Sequence, residues 1–301
     1  MSLLRSTAVV VHAPGGEVAS FGRWHGPETP VVWGSVTKIF LAGAVAELVA
    51  DGALAWSTPV SSLLAAVTPA GTKVPDIPVE QLVRHTSGLP RLVPEQMRMV
   101  KDPYGRFDDA RFDTEVLDRL GDLRNPALAD GEPLYSNLGY ALLARAVTVS
   151  QGRPWIDVVR ERVVAPAGVD PAEVFVATGQ APRPRTQARN VRGRPLSDWN
   201  PGSGPFSGAS GLWASPSAMM TLLRSALTPG SPLDPGRTPS AWEGTAPVHT
   251  VDGAIMRSGG RVLVDTDTGT VALAHTVGGM AGRNAERAAT VLDRALRSVA
   301  R

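Results

Sequence analysis

The chain has 301 residues, 43% hydrophobic and 19% charged, enough to bury the core of one large domain or two intimate ones. Its formal charge of +2 is too slight for a nucleic-acid or anionic-membrane partner, because such proteins concentrate many cations on one face. With no cysteine there are neither disulfides nor thiolate metal sites, so the chemistry falls to oxygen and nitrogen nucleophiles, and no metal or organic cofactor is expected.

Near the start, the apolar run Ala8 to Val11 is shorter than a secretion signal or a membrane span, so a cytoplasmic location is expected. Thr7 to Ala13 reads as a β-branched strand, Gly15-Gly16 as its turn and Glu17 to Gly22 as the second strand of a hairpin. After Ser35, the run Ile39 to Ala50 is apolar on every side except at Glu47 and too long for a strand. It stops at Asp51-Gly52, where glycine suits a left-handed cap. A helix apolar all round is a buried one. From about Ser57 to Gly204, helical periodicity recurs in Val79 to Arg84, Thr114 to Leu120, Leu138 to Val149 and Trp155 to Val164, between loops bearing Pro and Gly. Arg183 to Arg194, with five arginines among prolines and polar residues, reads as a solvated loop. Arg261 to Asp265, the turn Thr266-Asp267-Thr268-Gly269 and Thr270 to Thr276 form a hairpin signature. An amphipathic helix follows, with the apolar stripe Ala288, Val291, Leu292, Ala295, Leu296 and Val299.

Strands at both ends around a helical middle predict an α/β (α+β) fold. Its antiparallel sheet, flanked by helices, is formed by both chain ends (1–56 and 205–301). A mostly helical lobe (57–204) is inserted, and the active site lies in the cleft between the two.

Trp33-Gly34-Ser35-Val36-Thr37-Lys38 sets a hydroxyl and an amine three residues apart at the start of the buried helix, so one turn brings both to the same face. A lysine beside a low-dielectric core loses solvation of its charged form. Its pKa falls, and the neutral amine can take the serine proton while the helix N-terminus offers N–H groups to an oxyanion. With three lysines and 21 serines in the chain, chance gives about 0.2 such S-x-x-K pairs. A second element, Asp130 to Tyr140, places Tyr135 and Asn137 two residues apart just before a helix. A phenol near a cation can shuttle a proton, and an amide can hold the lysine and donate to a substrate carbonyl. The plainer alternative is Tyr135 as a core aromatic and Asn137 as a helix cap.

These motifs, with Leu82-Val83-Arg84-His85-Thr86-Ser87-Gly88-Leu89-Pro90 and Gly208-Ala209-Ser210-Gly211-Leu212-Trp213-Ala214-Ser215 in the same order, resemble the serine β-lactamase and penicillin-binding-protein superfamily. The nearest branch holds class C β-lactamases, D-Ala-D-Ala carboxypeptidases and related esterases. The resemblance implies Ser35 as nucleophile, Lys38 as base, Tyr135 as second proton carrier and Asn137 as an amide ligand, with His85 to Pro90 structural. It also implies a third motif on a strand beside the nucleophile. Two histidines offer themselves, His249 and His275; His249 is preferred because two strands and a helix must follow it. His249 and Thr250 then face substrate, Val251 replaces a glycine of the relatives, and the N–H of Asp252 is the second oxyanion donor.

A histidine there, rather than a lysine, removes a fixed cation that would hold a substrate carboxylate. The expected activity is therefore hydrolysis of a small ester or amide through an acyl-enzyme. The alternatives are β-lactamase or D-Ala-D-Ala carboxypeptidase/D-peptidase action on a small-molecule substrate, acyl transfer to a non-water acceptor, or an inactive binding or sensor protein.

Overall fold

The computed structural model describes residues 3–97, 103–177, 184–196, 202, 204–279 and 281–299. Its six-stranded antiparallel sheet draws on both chain ends. In chain order the strands are β1 (Ser6–Ala13), β2 (Gly16–Phe21), β3 (Glu243–Thr245), β4 (Val248–Ile255), β5 (Ser258–Asp265) and β6 (Thr270–Val277). In space the order is β2-β1-β6-β5-β4-β3, so the junction of the two chain ends, β1 against β6, lies inside the sheet.

Both expected hairpins form: β1 begins one residue earlier than expected, β2 is shifted back by one residue, the second hairpin begins at Ser258 rather than Arg261, and a further strand, β4, precedes it. Strand β6 is buried along its whole length because it is covered on both faces. Ala272 and Ala274 pack with Val9 and Val11 under the C-terminal helix, while Val271 and Leu273 join the main core on the opposite face. That terminal helix spans Ala281–Val299, and Ala288, Leu292 and Ala295 of its stripe are buried, with Val291, Leu296 and Val299 packed beside them.

The central helix α1 (Thr37–Ala50) is buried on nearly every side, and Gly52 beyond it has φ +74, the left-handed geometry that closes a helix. Helix α2 (Asn137–Gln151) packs in the same core. The expected helix Thr114 to Leu120 is irregular: Phe112–Val116 and Leu117–Arg119 are wider and tighter turns than an α-helix. Among the described residues no helix is long and apolar enough to cross a membrane.

Candidate active site

The segment that carries Ser35 is a sharp strand-to-helix corner. Val31–Val32 pairs with Trp213–Ala214, and the chain turns at Gly34 (φ +56) into a 3-10 turn, Gly34–Val36, that feeds α1. The turn is pinned on two sides. Trp33 Nε1 donates to the Ala214 carbonyl (3.1 Å), and Thr37 Oγ1 donates to the Gly34 carbonyl (2.6 Å) while accepting from Leu212 N (3.0 Å). On its other side lies the outer edge of β4. A Cβ on Gly253 would stand 1.9 Å from the Trp33 carbonyl oxygen and 3.3 Å from Ser35 N, so only glycine allows this approach.

The second wall comes from residues 134–138, which the His85-Thr86-Ser87-Gly88-Leu89-Pro90 loop clamps. Leu134 N donates to the His85 carbonyl (2.8 Å), Ser136 N to His85 Nδ1 (3.1 Å) and Asn137 N to the Arg91 carbonyl (3.0 Å). The loop has no bond to Ser35 or Lys38. Ser136, not Asn137, caps α2: its hydroxyl accepts from Gly139 N at 2.8 Å. Asn137 is thereby released to reach the lysine.

These walls bring together four of the expected residues. Ser35 Oγ lies 2.5 Å from Tyr135 Oη, and Lys38 Nζ lies 2.7 Å from Tyr135 Oη, 3.2 Å from Ser35 Oγ, 2.9 Å from Asn137 Oδ1 and 2.7 Å from the Ala209 carbonyl. The Asn137 amide is oriented from its far end, where Nδ2 donates to Tyr104 Oη at 3.3 Å. The oxygens of Asn137 and Ala209 only accept, so they fix two N–H groups of the amine and leave its third position facing the two hydroxyls. Burial holds the Lys38 pKa well below 10.5, with Arg91 pressing the same way and Glu243 opposing. The neutral amine, with its lone pair toward Ser35 and Tyr135, is thus favoured. Burial moves Tyr135 the other way, up to about 12, partly offset by its bond to Ser35, so the phenol keeps its proton.

The third motif differs from expectation. His249 and Thr250 lie on β4 but not among the residues lining the cleft, whereas Val251 lines it beside Ser35, Lys38 and Tyr135. The Asp252 carboxylate is held by Arg261 Nε and Nη2, both at 2.6 Å, on the neighbouring strand. This pairing neutralises the carboxylate, whose charge beside an oxyanion would be unfavourable. Across the two-residue turn Met256-Arg257, alternation of the ladder directs the N–H groups of Asp252 and Ala254 to the free edge of β4 that faces the Ser35 turn. Sequence reasoning missed Gly253, although a glycine inside a strand is the usual mark of close backbone approach. It also missed the Ala209 carbonyl and Glu243, for which no side-chain pattern gave a signal.

His275 is fully buried elsewhere. Its Nε2 lies 3.2 Å from the Val32 carbonyl, which only accepts, so the hydrogen sits there and is shared toward Ser258 Oγ at 2.8 Å. In the neutral ring Nδ1 then accepts from His25 Nε2 (3.0 Å), and His25 Nδ1 accepts the Ser6 hydroxyl (2.7 Å). The chain of bonds ends on the backbone next to Trp33. Burial lowers the His25 pKa to about 4 and puts His275 well below 6.5. Between pH 6.5 and about 4 the unfolded chain therefore binds protons that the folded one refuses, and stability falls as pH falls. For His25 alone the loss is roughly 3 kcal/mol. Urea melts across this range are expected to show a steeper decline for the wild type than for His25→Gln; equal slopes would mean that the buried pair does not resist protonation.

The cleft in front of Ser35 has a volume of about 870 Å³, and its walls include Gln81, His85, Asp130, Trp242 and Glu243. Over 139 residues, 45% of this chain, the sequence is 33% identical to penicillin-binding protein 4 of Amycolatopsis lactamdurans; the match spans 34% of that protein's length. The fold is similar to that of a beta-lactamase/D-alanine carboxypeptidase from Pseudomonas syringae (TM-score 0.73, 17% identity, covering 97% of this chain and 93% of that one). It is also similar to a D-stereospecific amidohydrolase from a Streptomyces species (TM-score 0.65, 20% identity, 92% and 90% covered). The family model for beta-lactamase matches residues 4–292, and the chain belongs to that family.

Proposed function

We propose that the chain is a serine hydrolase that cleaves a small amide or ester through an acyl-enzyme on Ser35. The observation that carries this reading is the triangle of Ser35 Oγ, Tyr135 Oη and Lys38 Nζ, closed at 2.5, 2.7 and 3.2 Å, around an amine whose pKa burial holds well below 10.5. Ser35 Oγ bonds to the substrate carbonyl carbon as its proton passes to Lys38, directly or by exchange through Tyr135 Oη. The oxyanion is received by Ser35 N and an outward N–H of β4, Asp252 or Ala254. Collapse breaks the C–N or C–O bond, and the stored proton leaves with the amine or alcohol. Water, deprotonated by the same pair, then releases the acid and restores Ser35.

Two neighbours in fold are named a D-stereospecific amidohydrolase and a beta-lactamase/D-alanine carboxypeptidase, and this favours amides as well as esters. A carboxylate, Glu243, lines the cleft, and no lysine or arginine of the third motif does; this argues against an anionic β-lactam as the preferred substrate. Turnover should be compared on D- and L-alanine p-nitroanilides, p-nitrophenyl butyrate and a chromogenic cephalosporin. Faster turnover of the anilides or the ester is expected, and a cephalosporin hydrolysed fastest would replace this reading with that of a β-lactamase.

A further inference from the structure

The charged groups that line the cleft are unequally provided for. Lys38 is bonded to Asn137 and Ala209; Glu80 and Arg84 are paired at 2.9 Å; both oxygens of Asp130 accept from Gln81 Nε2, at 2.9 and 2.8 Å. Glu243, on the exposed edge strand β3, lines the same cleft and has no side-chain hydrogen bond or close ion pair among the described residues, Lys38 and Arg261 acting on it only at longer range. Beside it Trp242 also lines the cleft. Its indole N–H donates to the Leu233 carbonyl at 2.9 Å and its ring packs on the main core, so it presents a fixed aromatic surface.

Desolvation, and then repulsion from Asp252, which lies two positions beyond Thr250, the residue opposite Glu243, raise the Glu243 pKa, with Lys38 and Arg261 opposing. Arg261 attracts Glu243 as well, but its guanidinium is bonded through Nε and Nη2 to the Asp252 carboxylate and makes no bond to Glu243. Lys38 is within electrostatic reach, but its amine is bonded to Asn137 and Ala209, and burial holds its pKa well below 10.5. Arg91, a further cation near the site, lies 5.3 Å from the Tyr135 ring centroid and is not part of the cleft wall. A carboxylate without a hydrogen-bonded partner and a fixed indole lining one cleft can together recognise an ammonium group, by charge and by the ring quadrupole.

We propose that Glu243 and Trp242 form a cation subsite, so that the preferred substrate carries a protonated amine a short distance from its scissile carbonyl. This rests on the acyl-enzyme reading of Ser35 and names the substrate class for it. The test uses two fluorophosphonates of equal length, one ending in a primary ammonium and the other in its N-acetyl derivative, with labelling rates read by intact mass. The ammonium probe is expected to react faster by roughly 5-fold at low ionic strength, the upper range for one exposed ion pair. That ratio should shrink in about 1 M salt and approach one in Glu243→Gln. A wild-type ratio at or below one, or a ratio that survives both high salt and Glu243→Gln, overturns the subsite while leaving the acyl-enzyme reading in place. Failure of both probes to label the folded protein overturns the acyl-enzyme reading and the subsite with it.

Discussion

Lys38→Met is expected to slow acylation of Ser35 by roughly a hundred- to ten-thousand-fold, the range spanned by a positioned proton acceptor. Methionine has similar length and suits the apolar surroundings of α1, so the lost function is the amine's. Nothing else described within the triangle replaces it: Tyr135 is a phenol held up at about 12, and Asn137 Oδ1 and the Ala209 carbonyl have little basicity. A second readout separates this role from a packing role. Burial holds the folded lysine below its ordinary 10.5, so in the window beneath that value the unfolded chain binds the extra proton, and wild-type stability rises with pH up to about there. The substitution removes that slope. Labelling rates within ten-fold of the wild type, or an unchanged slope, would remove Lys38 from the proton path.

Gly253→Ala should be nearly as damaging, although the new methyl adds no polar group and touches no substrate. The added carbon would sit 1.9 Å from the Trp33 carbonyl oxygen and 3.0 Å from its carbon, and neither is the mobile end of a side chain. Either β4 moves away or the nucleophile turn does. Displacing a reacting group by about 1 Å lowers rates by about a hundred-fold, and overpacking of this kind destabilises by roughly 1–3 kcal/mol. Gly121→Ala serves as the control, since its nearest neighbour, Pro75 Cγ, would be 4.0 Å away. Thermal melts and labelling rates of the two variants should diverge. A fully active Gly253→Ala would show that β4 does not set the position of Ser35.

Much of this was legible in the chain. The buried helix after Ser35 showed itself as an apolar run with a single interruption, and a lysine in such a place demands partners that a surface lysine does not. Tyr135 and Asn137 could be paired with it because a helix start lay just behind them, although the cap proved to be Ser136. The terminal hairpin and helix were readable from period and turn chemistry, and the antiparallel sheet from strands at both ends.

The third motif was less legible, for a physical reason. Along a strand, alternate side chains face opposite ways, so choosing His249 as the anchor also chose which neighbours meet the cleft. In the structure Val251 lines it, Asp252 turns to Arg261, and the close approach comes at Gly253. His275 could not be excluded by pattern, because its partners, His25, Ser258 and Val32, are remote in sequence and joined only by tertiary pairing. Glu243 belongs to a three-residue strand with no apolar alternation, which leaves no periodic signal.

The most direct test is intact-mass spectrometry of the folded protein after incubation with a neutral fluorophosphonate, beside Ser35→Ala and with peptide mapping of any product. One adduct per chain, mapped to Ser35 and absent from the variant, is the predicted result. A folded wild type that gains no mass, or a variant that gains the same adduct, would contradict Ser35 as the nucleophile.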